Sequence, residues 1–178
     1  MTDTIKHLYQ GRVIDLGLET VTLPNGRRIE LEIIRHPGGA AVAAVDGQER
    51  VCLVYQYRHA GGGWLWELPA GKIDNREDPL LAARRELLEE GGMAAEQWRS
   101  LGFMHSSPGV FDEVIHLYLA TGLSHKGQNL EEDELLEVHW LPLREAVQWA
   151  HSGKITDAKT VIGLLRAVAI LSPSASPG

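Results

Sequence analysis

The chain has 178 residues, enough for one domain with a substantial core, or for such a core with a small extra sheet. Hydrophobic residues make up 44% and charged residues 23%, an ordinary globular balance, and the formal net charge is −7 with no basic run. That charge argues against a general DNA- or RNA-binding surface, and leaves small anionic ligands open where cations or local arginines mask the acidity. The opening "MTDTIKHLYQGR" lacks the apolar run of a signal peptide, and no stretch approaches about 18 apolar residues. A cytoplasmic protein with no membrane or nucleic-acid partner is expected. The single cysteine, Cys52, lies in the apolar run "RVCLVYQYR" and reads as a buried structural thiol.

In chain order, "VTLPNGRRIELEII" carries two β-rich runs around Pro24-Asn25-Gly26, a tight-hairpin signal. "GAAVAAV" and "RVCLVYQYR" flank Asp46-Gly47, a second hairpin signal, and their near-continuous apolar character predicts strands buried on both faces. "AGGGWLWELPAG" breaks regularity and then gives a short strand entering a loop. Asp78–Glu90 is the strongest helix, with Asp78 as cap and Pro79 in the first turn. Leu80, Ala83 and Leu87 form its apolar stripe, with Leu81 and Leu88 beside it, and Gly91-Gly92 stops it. "RSLGFMHSS", "EVIHLYLATGL" and "LLEVHWLPL" read as strands, separated by the loops "SPGVFD" and "SHKGQNLEEDE". Helices near Arg144–His151 and Asp157–Leu171 follow; Val161, Leu164, Leu165 and Val168 of the second stand at core spacing. "SPSASPG" reads as a disordered tail. Strands on both sides of helices predict a mixed sheet covered on two faces, with the first hairpin as a possible separate small sheet.

The stretch "RRELLEEGG" raises a chemical question. Glu86, Glu89 and Glu90 fall on one side of the helix, at its C-terminus, where the macrodipole favours cations. Only Arg85 answers them locally, and a second acidic cluster, Glu131–Glu134, follows in a later loop. A solvated helix face would account for such acids, and so would a hard divalent ion taking oxygen ligands and phosphates.

From Gly71 to Met93 the chain reads "GKIDNREDPLLAARRELLEEGGM". This resembles the Nudix box, G-x5-E-x7-R-E-U-x-E-E-x-G-U with U a bulky apolar residue. Gly71, Glu77, Arg85, Glu86, Leu87, Glu89, Glu90, Gly92 and Met93 match without a gap. The resemblance implies an α/β fold, a Nudix-type α/β/α sandwich with a mixed sheet, here with a small N-terminal antiparallel sheet. It also implies Mg2+ as cofactor, with Mn2+ as the substitute and two or more ions per site, and hydrolysis of a nucleoside diphosphate linked to another group. By the same resemblance Glu86, Glu89 and Glu90 face the metal, and Arg85 orients Glu89 and Glu77.

The flanks "WELPAGKID", "SSPG" and "KITDAKTVIGLL" look like the ADP-ribose pyrophosphatase branch. A proline at its distance beyond the box marks that branch, and Pro108 stands 15 residues past Met93. Carried over residue by residue, Ala70 offers its carbonyl to a metal and Glu134 an extra metal contact. Glu132 positions or deprotonates the water, a task that a box glutamate such as Glu89 could take instead. Arg58 grips the diphosphate, and Arg35, Glu113 and Pro108 are further substrate contacts. Trp64 and Trp66 could stack on adenine or pack in the core. The eight histidines, among them His36, His59, His105 and His139, show no ligand spacing. The branch implies a homodimer that exchanges N-terminal strands, so residues 1–38 read as a hairpin region, 39–171 as the hydrolase domain and 172–178 as tail. The expected reaction gives AMP and ribose 5-phosphate. The alternatives are hydrolysis of another nucleotide sugar such as GDP-mannose, or of nucleoside triphosphates, and a non-catalytic nucleotide sensor.

Overall fold

The computed structural model describes residues 2–128 and 135–171. The expected tail and the loop residues Glu132 and Glu134 lie outside the described residues.

Strands β1 (Thr2–Gln10), β2 (Asp15–Thr22) and β3 (Arg28–Arg35) form an antiparallel sheet in that order. The turn expected between β2 and β3 is present: Gly26 takes φ 81° and its N–H donates to Leu23 O at 2.9 Å. β3 is fastened to the rest of the molecule through Ile34. Its N–H donates to Val110 O at 2.8 Å, and its carbonyl accepts from Asp112 N at 3.0 Å.

The main body contains β4 (Gly39–Ala44), β5 (Arg50–Arg58), β6 (Gly63–Glu67), β7 (Ala70–Lys72), β8 (Met93–His105), β9 (Val114–His125) and β10 (Leu136–Pro142). One sheet is mixed, in the order β7-β4-β9-β8, with β4 and β9 parallel. The other is antiparallel, in the order β10-β5-β6. Alternation along β4 decides which helix each residue meets. Ala40, Val42 and Ala44 pack with Ala83 and Leu87 of helix α1 (Pro79–Glu89). Ala41, Ala43 and Val45 pack with Leu143 and Ala146 of α2 (Leu143–Ser152) and with Leu164 and Ala167 of α3 (Ala158–Leu171). Every residue of β4 is fully or nearly fully buried, and its small side chains let helices approach from both sides. The result is the expected α/β/α sandwich with a separate N-terminal antiparallel sheet. No helix of the described residues is long and apolar enough to cross a membrane.

Two expectations need correction. Asp46-Gly47 does not close a hairpin: β4 and β5 lie in different sheets and share only the bridge Val45↔Val51. The Asp46 carboxylate closes the turn instead, accepting from Gln48 N at 2.9 Å and Arg50 N at 2.8 Å. A turn held by a side chain lets the chain leave one sheet and enter the next. On α1 the apolar stripe is narrower than the leucine pattern suggests, since Leu81 and Leu88 are exposed by 53% and 41%. The buried positions are Ala82, Ala83, Glu86 and Leu87, so part of the acidic side of the helix is turned inward.

Candidate active site

Helix α1 brings the box residues to one place. Asp78 caps its start by accepting from Leu80 N at 2.8 Å, and Gly92, with φ 65°, lets the chain turn away past its end. Glu86 and Glu90 are 6% and 1% exposed, and with Glu89 they line a cavity of about 490 Å3. Burying two carboxylates requires compensation, which Arg85 supplies to Glu86 and the Ala70 N–H to Glu90. Arg85 Nη1 donates to Glu86 Oε1 at 2.6 Å and Glu89 Oε2 at 3.1 Å, and its Nη2 to Glu77 Oε1 at 2.9 Å and Lys72 O at 3.1 Å. Burial alone would lower the Arg85 pKa, but these bonds and charges outweigh it and raise it, so the guanidinium stays charged.

The strand β7 lies against the acids. Ala70 N donates to Glu90 Oε2 at 2.8 Å, and Ala70 lines the cavity. Gly71 is required by close approach, because a Cβ there would lie 2.0 Å from Glu86 Oε1. Among the described residues no three His, Cys, Asp or Glu are gathered closely enough to hold a metal ion. The reason is visible in the bonding: Arg85 stands between Glu86 and Glu89, and Glu90 is turned to a backbone N–H. The donors nonetheless fit a hard divalent ion in kind, since carboxylates and a backbone carbonyl offer only oxygen, and the bare Gly71 leaves Glu86 room.

Two cations, each paired with a carboxylate, also line the cavity. Arg58 on β5 donates through Nε and Nη2 to Glu67 Oε1 and Oε2 at 2.9 and 3.0 Å. Lys159 on α3 donates to Glu67 Oε2 at 2.6 Å and Asp157 Oδ1 at 3.0 Å. Burial would raise the Glu67 pKa, but the Arg58 hydrogen bond and the Lys159 charge together lower it, so this buried carboxylate is ionised. A third side carries Ser106, Glu113 and His36, whose Nδ1 lies 3.2 Å from Glu113 Oε1 and 3.1 Å from Gly38 N.

The structure therefore gathers Arg58, Ala70, Arg85, Glu86, Glu89, Glu90 and Glu113 around one cavity. It does not bring Arg35 or Pro108 there. The Arg35 guanidinium is occupied by Glu19 and by Asp112, to which Nη1 donates at 2.9 Å, so it braces the N-terminal sheet against the loop before β9. Pro108 is exposed in that same loop. Trp64 and Trp66 stand in an aromatic cluster, Trp64 stacked on Tyr55 at 5.2 Å and Trp66 edge-on to Trp149 at 5.2 Å, and neither lines the cavity. Cys52 is fully buried, and burial together with the Glu90 charge pushes its pKa up to about 12, which keeps the thiol protonated.

Residue spacing alone missed Gln56, Glu67, Asp157 and Lys159, all but Glu67 of which line the cavity. Alternation on β5 places Gln56 on the same face as Arg58, a signal that was available. Glu67 and Lys159 are 92 residues apart, and nothing local pairs them.

Comparison with known proteins agrees with this geometry. The NUDIX domain family model matches residues 35–162, a span that contains the box and both walls of the cavity. The chain is 44% identical over 165 residues to the methanol dehydrogenase activator of Bacillus methanolicus, covering 90% of this chain and 89% of that protein. It is 38% identical over 161 residues to the ADP-ribose pyrophosphatase of Bacillus subtilis, covering 89% and 87%. The crystal structure of an ADP compounds hydrolase superposes with a TM-score of 0.82 at 22% identity, over 98% of this chain and 95% of that one, a likeness of fold. Box, cavity and family match coincide, and the chain belongs to the Nudix family of pyrophosphohydrolases.

Proposed function

We propose that the chain hydrolyses the diphosphate of ADP-ribose to AMP and ribose 5-phosphate, with Mg2+ as the working ion and Mn2+ as a substitute, two or more per site. The observation that carries this reading is that the acids of α1 share one cavity with the cations Arg58 and Lys159, and Nudix members generally need divalent ions. A volume near 490 Å3 falls in the ordinary range for small-ligand sites. ADP-ribose is preferred among diphosphates because the Bacillus subtilis relative, matched over most of both chains, is an ADP-ribose pyrophosphatase.

Glu86, Glu89, Glu90 and the Ala70 carbonyl would hold the ions, with Glu134 as a further contact. Bound divalent ions supply charge neutralisation of the diphosphate and acidify water. Arg85 keeps Glu77, Glu86 and Glu89 in place, a positioning task. Arg58, already fixed by Glu67 through two of its donors, directs the rest of its fork at phosphate oxygens. Glu132 positions or deprotonates the attacking water, and Glu89 is the alternative base. Glu113 faces the substrate from the third side, while Arg35 and Pro108 act from outside the cavity. The chain would work in the cytoplasm as a homodimer; Ile5, Leu8 and Tyr9, exposed by 49%, 48% and 58% on the edge strand β1, support pairing with a second copy.

The test is phosphate-ester release from ADP-ribose, GDP-mannose and a nucleoside triphosphate, each with and without Mg2+. Metal-dependent cleavage with the largest kcat/KM for ADP-ribose supports the reading. A larger value for GDP-mannose moves the substrate to another nucleotide sugar. The Bacillus methanolicus relative favours a second reading, activation of a partner dehydrogenase, which predicts stimulation of an added methanol dehydrogenase.

A further inference from the structure

His36, the residue after β3, lines the cavity where the main body meets the N-terminal sheet, and its place is fixed from more than one side. Its N–H donates to Asp112 Oδ1 at 2.8 Å, and its ring stands edge-on to Phe111 with 5.4 Å between centroids. The Nδ1 atom meets two demands that exclude each other. Gly38 N–H points at it from 3.1 Å, which requires a lone pair, while Glu113 Oε1 lies 3.2 Å away, which requires a proton. The Gly38 donor is held by its turn: φ is 88°, and a Cβ there would lie 2.9 Å from Val114 O. With Nδ1 accepting from Gly38, the imidazole is neutral and carries its proton on Nε2. The Glu113 carboxylate is then left without a donor among the described residues. It lines the cavity and keeps 17% of its side chain exposed, so a ligand can reach it.

A proton on Nδ1 reverses the arrangement. The ring then has no lone pair for Gly38 and makes a charge-assisted bond to Glu113, stronger than the neutral one it replaces. Resting on the hydrolase reading above, in which Glu113 faces the substrate, we propose that His36 is a positioning residue that decides whether Glu113 is available. Neutral, it takes the Gly38 N–H and leaves the carboxylate to a donor of the ligand. Protonated from solvent, it claims Glu113 and removes that acceptor from the cavity. Hydrolysis thereby acquires an acid brake separate from the titration of the α1 acids. The other charged groups around the ring are committed elsewhere. Asp112, from the segment that leads into β9, and Glu19 hold Arg35 at the end of β3. Asp15 of β2 shares with His36 a second cleft of about 250 Å3 and pairs with His7 at 2.9 Å. Within the cavity Lys72 pairs with Asp74 at 3.2 Å, Arg85 with the α1 acids, and Arg58 and Lys159 with Glu67.

The experiment compares kcat/KM for ADP-ribose at about pH 8 and about pH 5.5, on either side of the range in which imidazoles titrate, at saturating Mg2+. His36→Asn keeps an acceptor near the Nδ1 position and cannot take a proton, and thermal melting checks that it folds. The fall in kcat/KM toward acid should be roughly tenfold deeper in wild type than in this variant, the scale of one hydrogen bond to the ligand. Ionisation of the α1 acids and of metal-bound water acts on both forms alike and cancels in the comparison. Glu113→Gln lacks the carboxylate that a protonated ring would claim. Its acid fall should be as shallow as that of His36→Asn, and the double variant should make it no shallower. An acid fall as deep as wild type in either single variant overturns the proposal. Nitrogen NMR of the imidazoles, without substrate or metal, follows the proton directly. At about pH 8 His36 should show the Nε2–H tautomer, and the Gly38 amide should shift as the ring titrates. An Nδ1–H tautomer, or a Gly38 amide that does not move, rejects the assignment. A wild-type chain that cleaves no ADP-ribose with Mg2+ at either pH overturns the hydrolase reading instead, and the NMR result still decides His36.

Discussion

Replacement of Glu90 by Gln separates the charge of the acidic wall from its hydrogen bonding. Glu90 is 1% exposed, and its Oε2 accepts from Ala70 N at 2.8 Å. A glutamine carbonyl can accept the same bond, so the substitution removes a charge and changes little of the shape. In metal-free buffer one of three clustered acids becomes neutral. Like-charge relief on an exposed helix is worth about 0.2–0.5 kcal/mol per pair, and burial enlarges it. Glu90→Gln should therefore keep or raise stability in EDTA, by up to about 1 kcal/mol. Divalent ions reverse the order. Mg2+ at a hundred times its Kd stabilises a native protein by about 2.7 kcal/mol. If loss of one ligand weakens affinity by about a hundredfold, the same concentration gives the variant only about 0.4 kcal/mol. For a chain of this size the missing stabilisation amounts to roughly 5–9 °C in Tm. The assay is thermal or urea unfolding of both proteins in EDTA and in Mg2+, with hydrolysis measured alongside and expected to fall by about a hundredfold or more. Equal Mg2+ stabilisation of variant and wild type would refute the reasoning, as would near-normal turnover.

Three further outcomes follow from particular contacts. Gly71→Ala puts a Cβ 2.0 Å from Glu86 Oε1, so Glu86 must leave Arg85; a loss of about 1–3 kcal/mol in urea and of most Mg2+-dependent turnover is expected, and unchanged kinetics would show that Glu86 is free to move. Thr160→Val keeps the shape of a fully buried side chain that accepts from Leu68 N at 2.8 Å and donates to Asp157 Oδ2 at 2.6 Å. Leaving Leu68 N unpaired should cost about 2 kcal/mol in denaturant unfolding. The Glu67 pKa is depressed in the folded chain, so the stability this group contributes is present above its ordinary value near 4.5. It is lost as pH falls through the folded value, and Glu67→Gln should flatten the acid limb of stability below about pH 4.5 while leaving the neutral limb parallel to wild type.

How much of this was legible beforehand depends on the range over which each choice is made. Helix α1 could be placed to within a residue because its ends are set by local chemistry: Asp78 caps its own following turn, Pro79 lacks an N–H that would have gone unused, and Gly92 adopts a positive φ. The acids Glu86, Glu89 and Glu90 stood out for the opposite reason, since their position at a helix C-terminus conflicts with the local field. The pairing of β4 was not legible. Its all-apolar run says that both faces are covered, but Asp46-Gly47 equally permits a hairpin or a crossing between sheets, and the choice rests on β9, more than 70 residues downstream. The aromatic residues were ambiguous for a related reason: "GWLWE" has the alternation of a strand, and only the opposing Tyr55 and the later Trp149 turn Trp66 inward.

Charge compensation marks the deepest division between what spacing reveals and what folding decides. Arg85 and its acids lie within 13 residues, so one local segment contains both the charges and their partner. Arg58 and Lys159 look alike in the sequence as exposed-strand and helix-start cations, yet both are committed to Glu67, which is 2% exposed at its side chain. A cation so committed cannot respond freely to an incoming anion; it offers only the donors its carboxylate leaves over. The acidic wall is consequently set by its own helix, whereas the paired cations come together only after β5, β6 and α3 have met. A substitution on α1 should therefore change what the site does and leave its shape, while one at Glu67 should release two cations at once and alter the shape on which substrate choice depends.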